Sequence, residues 1–342
     1  MSDFVCRDLG SKKLYKIVEM ADKQRSNKQK HNLSVGEFFN KNSDELGLSL
    51  QGSDVGFDRL IKEPTINRPG LVLAGFFTYF AFRRIQVIGN SENSYLKSLT
   101  KDQRIKHFTN LCSRKIPCIV ISRGYELSDD LLEIAETHGI SVLKTNMISM
   151  KFINAATIRL EWDFAPISSE HGCMVDVQGI GVMVRGDSGS GKSECVLGLI
   201  ERGASLVADD VVKYRAIEGR ELIGTSPVTG RFHMEVRGIG IINVPAIFGV
   251  GSMRVEKRLD LVISLKETNQ IADIDRLGTR KKKYDILGIK VPHIELPVAA
   301  GRDMASLVEV AALDQKLKSF GHDTAIEFNK KLLKAISEKG IN

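Results

Sequence analysis

The sequence predicts an α/β protein of two domains, an N-terminal α/β domain and a C-terminal domain built on a phosphate-binding loop. Three observations lead there. Short apolar runs alternate with helix-like segments through the first half. Gly186-Asp187-Ser188-Gly189-Ser190-Gly191-Lys192-Ser193 fits the pattern G-x-x-x-x-G-K-[ST] at every fixed position. The apolar run Ile180–Val184 precedes this loop and the helix-like run Glu194–Arg202 follows it, which is the strand–loop–helix setting the pattern requires.

At 342 residues, with 42% hydrophobic and 27% charged side chains, the chain has material for two ordinary globular domains. The net charge of +7 suits a phosphate ligand or an acidic partner. Its basic residues are spread out except at Lys12–Lys30 and Arg280–Lys283, and no nucleic-acid-binding signature accompanies them. The apolar run Leu71–Phe82 is short of the roughly 20 residues a membrane span needs. Cys6, Cys112, Cys118, Cys173 and Cys195 form no C-x-x-C pair, and no signal peptide precedes them, so a reduced, cytoplasmic protein is expected.

In chain order, residues 1–32 read as a polar, basic extension. Residues 33–160 read as the first domain, with strands at Leu71–Phe77, Arg84–Ile88, Cys118–Ser122 and Ile140–Leu143. Helices are expected between them at Glu92–Thr100, Lys101–Cys112 and Asp129–Thr137, with Gly139 as a C-terminal cap. Residues 161–342 read as the second domain, ending in a helical tail from Met304 to Glu338 broken near Gly321.

The loop glycines let backbone N–H groups turn inward around a phosphate. Lys192 adds a full positive charge and the helix N-terminus a partial one. The Ser193 hydroxyl suits Mg²⁺. Cys173–Val177 and Ile180–Arg185, separated by Gln178-Gly179, read as a hairpin with a two-residue turn. Pairing Val177 with Ile180 and continuing that register sets His171 opposite Gly186, where an imidazole can bind phosphate or move protons. Read alone, His171 is equally an ordinary histidine at the start of a strand.

After the loop, a helix of about 11 residues carries the chain roughly 16 Å away. The strand Ser205–Asp209 returns it by a similar distance at about 3.3 Å per residue, so Asp209 and Asp210 come back to the level of the loop. One carboxylate can hold Mg²⁺ and the other can accept a proton from an attacking hydroxyl, although a turn-forming Asp-Asp pair has the same sequence. Met234–Val244 reads as a glycine-interrupted strand. On it, Glu235 can complete a metal shell and Arg237 can contact phosphate, or the two can form a buried ion pair.

These motifs together resemble the bacterial HPr kinase/phosphorylases, from about Val35 to the C-terminus. The resemblance is carried by Asn67–Tyr79, Glu170–Asp176, the phosphate loop, Leu206–Asp210, Glu235–Val244 and Asp275-Arg276-Leu277-Gly278. It implies a fold whose phosphate-loop domain is like that of phosphoenolpyruvate carboxykinase. It also implies ATP-dependent phosphorylation of a serine on the phosphocarrier HPr, with reversal by inorganic phosphate releasing pyrophosphate. By motif match, Lys192 binds the β- and γ-phosphates, Ser193 and Glu235 lie on the metal, and Asp210 accepts the serine proton. His171 and Arg276 match the remaining active-site positions, Pro297–Arg302 matches a segment used in dephosphorylation, and the assembly is a homohexamer. The segment here reads Pro-Val-Ala-Ala-Gly-Arg where the family pattern has proline at the position of Ala300, which frees that backbone. Other readings are a nucleotide-sensing module, a small-molecule kinase, and a DNA-binding role for the basic extension.

Overall fold

The computed structural model describes residues 33–267, 282–299 and 301–339. The extension at 1–32, Arg276, residues 280–281 and Ala300 lie outside them. The chain divides into two compact units, one ending at Ala165 and the other beginning at Pro166.

The first unit opens with helix α1 (Val35–Leu46), capped by Ser34 and Glu37 in a reciprocal capping box. A five-stranded sheet follows, formed by β1 (Leu48–Gln51), β2 (Ile66–Asn67), β3 (Ile85–Ile88), β4 (Cys118–Ile121) and β5 (Ser141–Thr145) in the order β1-β5-β4-β3-β2. The β1–β5 pair is antiparallel and the other pairs are parallel. Parallel strands need crossovers, and three expected helices are found between them, at Asn90–Ser98, Lys101–Cys112 and Asp129–Thr137. Every residue of β3 and of β4 is buried, because helices cover both faces and leave no solvated side to alternate with. The long helix Ser149–Phe164 runs through residue 160 and closes the unit.

One strand expectation fails here. Leu71–Phe77 contains a single helical turn, Gly70–Leu73, and no strand. Pro69 and Gly75 bracket the run, and Val72 and Leu73 pack into the helical side of the core rather than extending along the sheet.

The second unit is built on two sheets. The larger contains β7 (Cys173–Val177), β8 (Ile180–Gly186), β9 (Ser205–Ala208), β15 (Leu261–Glu267), β16 (Lys283–Ile286) and β17 (Ile289–Val298), in the order β9-β7-β8-β15-β17-β16. The smaller is antiparallel, with β6 (Ile167–His171), β10 (Val211–Ile217), β11 (Glu221–Thr225) and β14 (Glu256–Arg258) in the order β14-β11-β10-β6. Alternation along the central strands sorts their side chains. Val175, Val182, Val184, Leu261 and Ile263 pack with helices α7 (Lys192–Glu201) and α9 (Met304–Ser319). Met174, Met183 and Val262 point the other way and pack with Tyr214 and Leu222 of the smaller sheet. A last helix, Thr324–Lys339, completes the tail.

Candidate active site

The phosphate loop joins β8 to α7. β8 pairs in parallel with β15 as far as Gly186↔Leu265, which fixes where the loop starts. A Cβ on Gly186 would lie 2.6 Å from the Leu265 carbonyl oxygen, so glycine is needed for this close approach. The Lys192 ammonium donates hydrogen bonds to the carbonyls of Gly186 and Asp187, each at 2.9 Å, and so ties the helix start back to the loop start. Ser193 follows in the first turn of α7, half-buried. Ser188 and Gly189 form the exposed crest.

The hairpin ahead of the loop has the expected turn and register. Val177 pairs with Ile180, and both turn residues have positive φ, 49° at Gln178 and 94° at Gly179. The ladder ends, however, at Cys173↔Val184. His171 does not continue it to lie opposite Gly186. It belongs to β6 in the smaller sheet and pairs with Val211. The chain changes sheets at Gly172, where a Cβ would lie 2.8 Å from the Val184 carbonyl oxygen. This change sets exposed His171 beside Val211, the residue after Asp210, and the Gly172 N–H donates to the Asp210 carbonyl at 3.0 Å.

Asp209 and Asp210 follow β9, which ends at Ala208 rather than at Asp209. They form the link between the two sheets. Asp210 is exposed and has φ 84°, an unusual backbone conformation for which aspartate is among the more tolerant residues. Asp209 is half-buried, with both carboxylate oxygens engaged. Oδ1 accepts from the Cys173 thiol at 2.8 Å and Oδ2 accepts from the Glu235 backbone N–H at 3.2 Å. Burial pushes the Asp209 carboxyl above its ordinary range; the two donors pull it back, and the charges of Asp210 and Glu235 add to the push. Burial, reinforced by Asp209, also raises the Cys173 thiol well above its ordinary value, which keeps it protonated as a donor.

Met234–Val244 is not one strand. It is a hairpin, β12 (His233–Val236) and β13 (Gly240–Asn243), closed at Val236↔Gly240 and followed by the short helix α8 (Val244–Phe248). Met234 and Val236 enter the main core, so the alternate residue Glu235 is exposed. Arg237 is exposed too, which excludes the buried ion pair. A methyl group on Gly189 would lie 3.8 Å from Arg237 Nη1, so the guanidinium stands at the crest of the phosphate loop.

The structure therefore brings together the loop Gly186–Ser193, Asp209, Glu235 and Arg237, with His171 next to Val211 and hence to Asp210. Sequence reasoning missed Cys173 as a partner of Asp209. Its alternation on a strand flanked by β8 and β9 was the available signal. No group of three or more His, Cys, Asp or Glu side chains among the described residues forms a metal cluster. A magnesium ion needs fewer protein ligands than that, since one or two carboxylates plus phosphate oxygens and water suffice. The mutual repulsion of Asp209, Asp210 and Glu235 fits such a cation.

The profile described as HPr Serine kinase N terminus matches residues 33–160, and that described as HPr Serine kinase C-terminal domain matches residues 162–332. An HPr kinase/phosphorylase of Caldicellulosiruptor bescii is 41% identical over 280 residues, covering 82% of this chain and 90% of that protein. One from Bacillus cereus is 38% identical over 293 residues, covering 86% of this chain and 95% of the relative. Among solved structures, the HPr(Ser) kinase/phosphatase of Coxiella burnetii is 33% identical, with a TM-score of 0.44, covering 47% of this chain and 98% of the other.

Proposed function

The chain belongs to the HPr kinase/phosphorylase family, an enzyme family that phosphorylates and dephosphorylates HPr, and from that premise we propose how its own residues carry the reaction. ATP lies with its β- and γ-phosphates in Gly186–Ser193. Lys192 and Arg237 offset charge on the phosphoryl group as it moves. The exposed Asp210 carboxylate accepts the proton of the HPr serine hydroxyl, and His171 stands on the neighbouring strand to bind phosphate or relay that proton. In reverse, inorganic phosphate attacks the phosphoserine, pyrophosphate forms, and Asp210 returns a proton to the serine oxygen. Arg276, by its motif, contributes a further positive charge.

Ser193, Asp209 and Glu235 would hold Mg²⁺, which supplies charge neutralisation on the phosphate oxygens. Asp209 is set for this by its Cys173 and Glu235 hydrogen bonds. Assembly into a homohexamer is what the family resemblance implies; exposed Phe328, Leu333 and Ile336 on the last helix are apolar surface available for association between copies. Among the described residues, Cys112, Cys118, Cys173 and Cys195 are buried and free, which supports a reduced, cytoplasmic setting.

The observation that carries the reading is the convergence of the Lys192 loop with the Asp209–Glu235 pair. Incubating the protein with labelled ATP, Mg²⁺ and HPr tests it. Serine-linked label on HPr, released as pyrophosphate by excess phosphate, is the expected result. Label passing to small hydroxyl compounds but not to HPr would overturn it.

A further inference from the structure

A cluster of polar side chains lies between the two sheets of the second unit. Met183 of β8 packs against Tyr214 of the smaller sheet, and Arg185, two residues on, points into the same seam. Glu170 of β6 pairs with Val212, which is buried in that seam, so the Glu170 carboxylate faces the larger sheet. The Arg185 guanidinium stacks on the Tyr284 ring of β16, 4.4 Å from its centroid. The Tyr284 and His293 rings meet edge to face, with centroids 5.6 Å apart. His293 Nε2 lies 2.8 Å from Ser264 Oγ, and Ser264 is the ladder neighbour of Arg185. Contacts thus run in a circuit from Arg185 through Ser264 and His293 to Tyr284 and back, across β8, β15, β17 and β16. They hold the Tyr284 ring so that its hydroxyl donates to Glu170 Oε2 at 3.1 Å, across the gap between the sheets.

Each end of this bridge is one residue from a group that the proposed reaction uses. Arg185 precedes Gly186, the first residue of the phosphate loop, and Glu170 precedes His171. Resting on the reading of His171 as a phosphate-binding or proton-relaying group, we propose that Tyr284, oriented by Arg185 and His293, is a positioning residue that acts through Glu170 to set His171 against the phosphate loop. Adhesion between the sheets does not require it, because Met174, Met183, Val212 and Tyr214 already pack the seam with apolar surface. A half-buried carboxylate is unfavourable in such a seam. Burial raises the Glu170 carboxyl above its ordinary range, and the Arg185 charge pulls against that rise. What the bridge adds is direction. A hydroxyl meets a carboxylate oxygen over a narrow range of distance and angle, whereas apolar side chains tolerate sliding. The buried Tyr214 hydroxyl has no hydrogen-bond partner among the described residues, so the directional contact at this point of the seam is the one from Tyr284.

Tyr284→Phe keeps the ring and removes the hydroxyl. Steady-state phosphorylation of HPr is measured with the full chain and Mg²⁺-ATP. The variant is expected to lose about tenfold in kcat, with KM for ATP within about twofold and the urea midpoint nearly unchanged. In a His171→Ala background the same substitution is expected to change kcat by less than about twofold, because its effect passes through His171. Glu170→Gln, which keeps an acceptor oxygen for the tyrosine, is expected to hold kcat within about threefold, while Glu170→Ala falls as far as Tyr284→Phe. An unaltered kcat in Tyr284→Phe, or equal losses with and without His171, would overturn the positioning role and leave the reading of His171 standing. A His171→Ala variant that turns over like the unaltered chain overturns that reading, and the positioning role falls with it.

Discussion

Asp209 Oδ2 accepts a hydrogen bond from the Glu235 backbone N–H at 3.2 Å, and this bond fastens the β12–β13 hairpin beside the phosphate loop. The same carboxylate holds the Cys173 thiol with its other oxygen. Asp209→Ala removes both attachments. Hydrogen–deuterium exchange is expected to show faster exchange at Glu235 while the amides of β8 keep their protection. Unchanged exchange at Glu235 would show that the hairpin is held by other contacts.

Asp210→Asn keeps a residue tolerant of φ 84° and removes the proton acceptor of the proposed mechanism. Phosphoryl transfer to HPr is expected to fall by about 10²–10⁴ while nucleotide titration changes little. Transfer at the unaltered rate would sink the assignment.

Lys192→Ala deletes the ammonium and its two bonds to the loop carbonyls. Turnover is expected to drop by about 10²–10³, together with weaker nucleotide binding. An unchanged binding isotherm would show that the loop does not carry the nucleotide.

The parts of this site that depend on neighbours in sequence were readable before the structure. The loop and its flanking strand and helix follow from local pattern, as does the Gln178-Gly179 turn that sets Val177 opposite Ile180. The hairpin register does not reach His171, because the chain changes sheet at Gly172 and His171 pairs instead with Val211, 40 residues away. The Cys173–Asp209 bond is hidden for the same reason. In the first unit, Leu71–Phe77 has the composition of a strand, but Pro69 and Gly75 leave it only one helical turn. The capping box at Ser34 and Glu37 is a purely local signal, a serine followed three residues later by glutamate.

Ile263 is fully buried in the parallel strand beside the one that leads into the loop. Ile263→Ala is expected to destabilise the protein by about 2–5 kcal/mol, measured as a lowered denaturant midpoint at constant slope. A change below about 1 kcal/mol would mean that this core collapses readily around the cavity.

Glu295 receives hydrogen bonds from Lys266 and Lys282, which lower its carboxyl from 4.5 to about 2. A depressed folded-state value stabilises the fold above the unfolded value and loses that contribution as pH falls through the folded one. The contribution is therefore expected to fade between pH 4.5 and about 2. Glu295→Gln should flatten the acid limb of stability in this window, read by urea unfolding at successive pH values. An identical acid limb in the variant would remove Glu295 from the account.

Gly172 passes the chain from one sheet to the other between the phosphate loop's hairpin and His171. The cradle that grips phosphate thus rides on one β-layer, while His171 and the residue after Asp210 ride on a second. The two layers are joined near the chemistry by the single residue Gly172 and the two-residue link Asp209–Asp210 rather than by a shared ladder. A small slide of one layer against the other changes the separation of these groups without breaking a strand pairing. Distance between the reacting partners is thereby adjustable by motions that leave each sheet intact, and packing substitutions along the Met174–Tyr214 seam would tune turnover from outside the site.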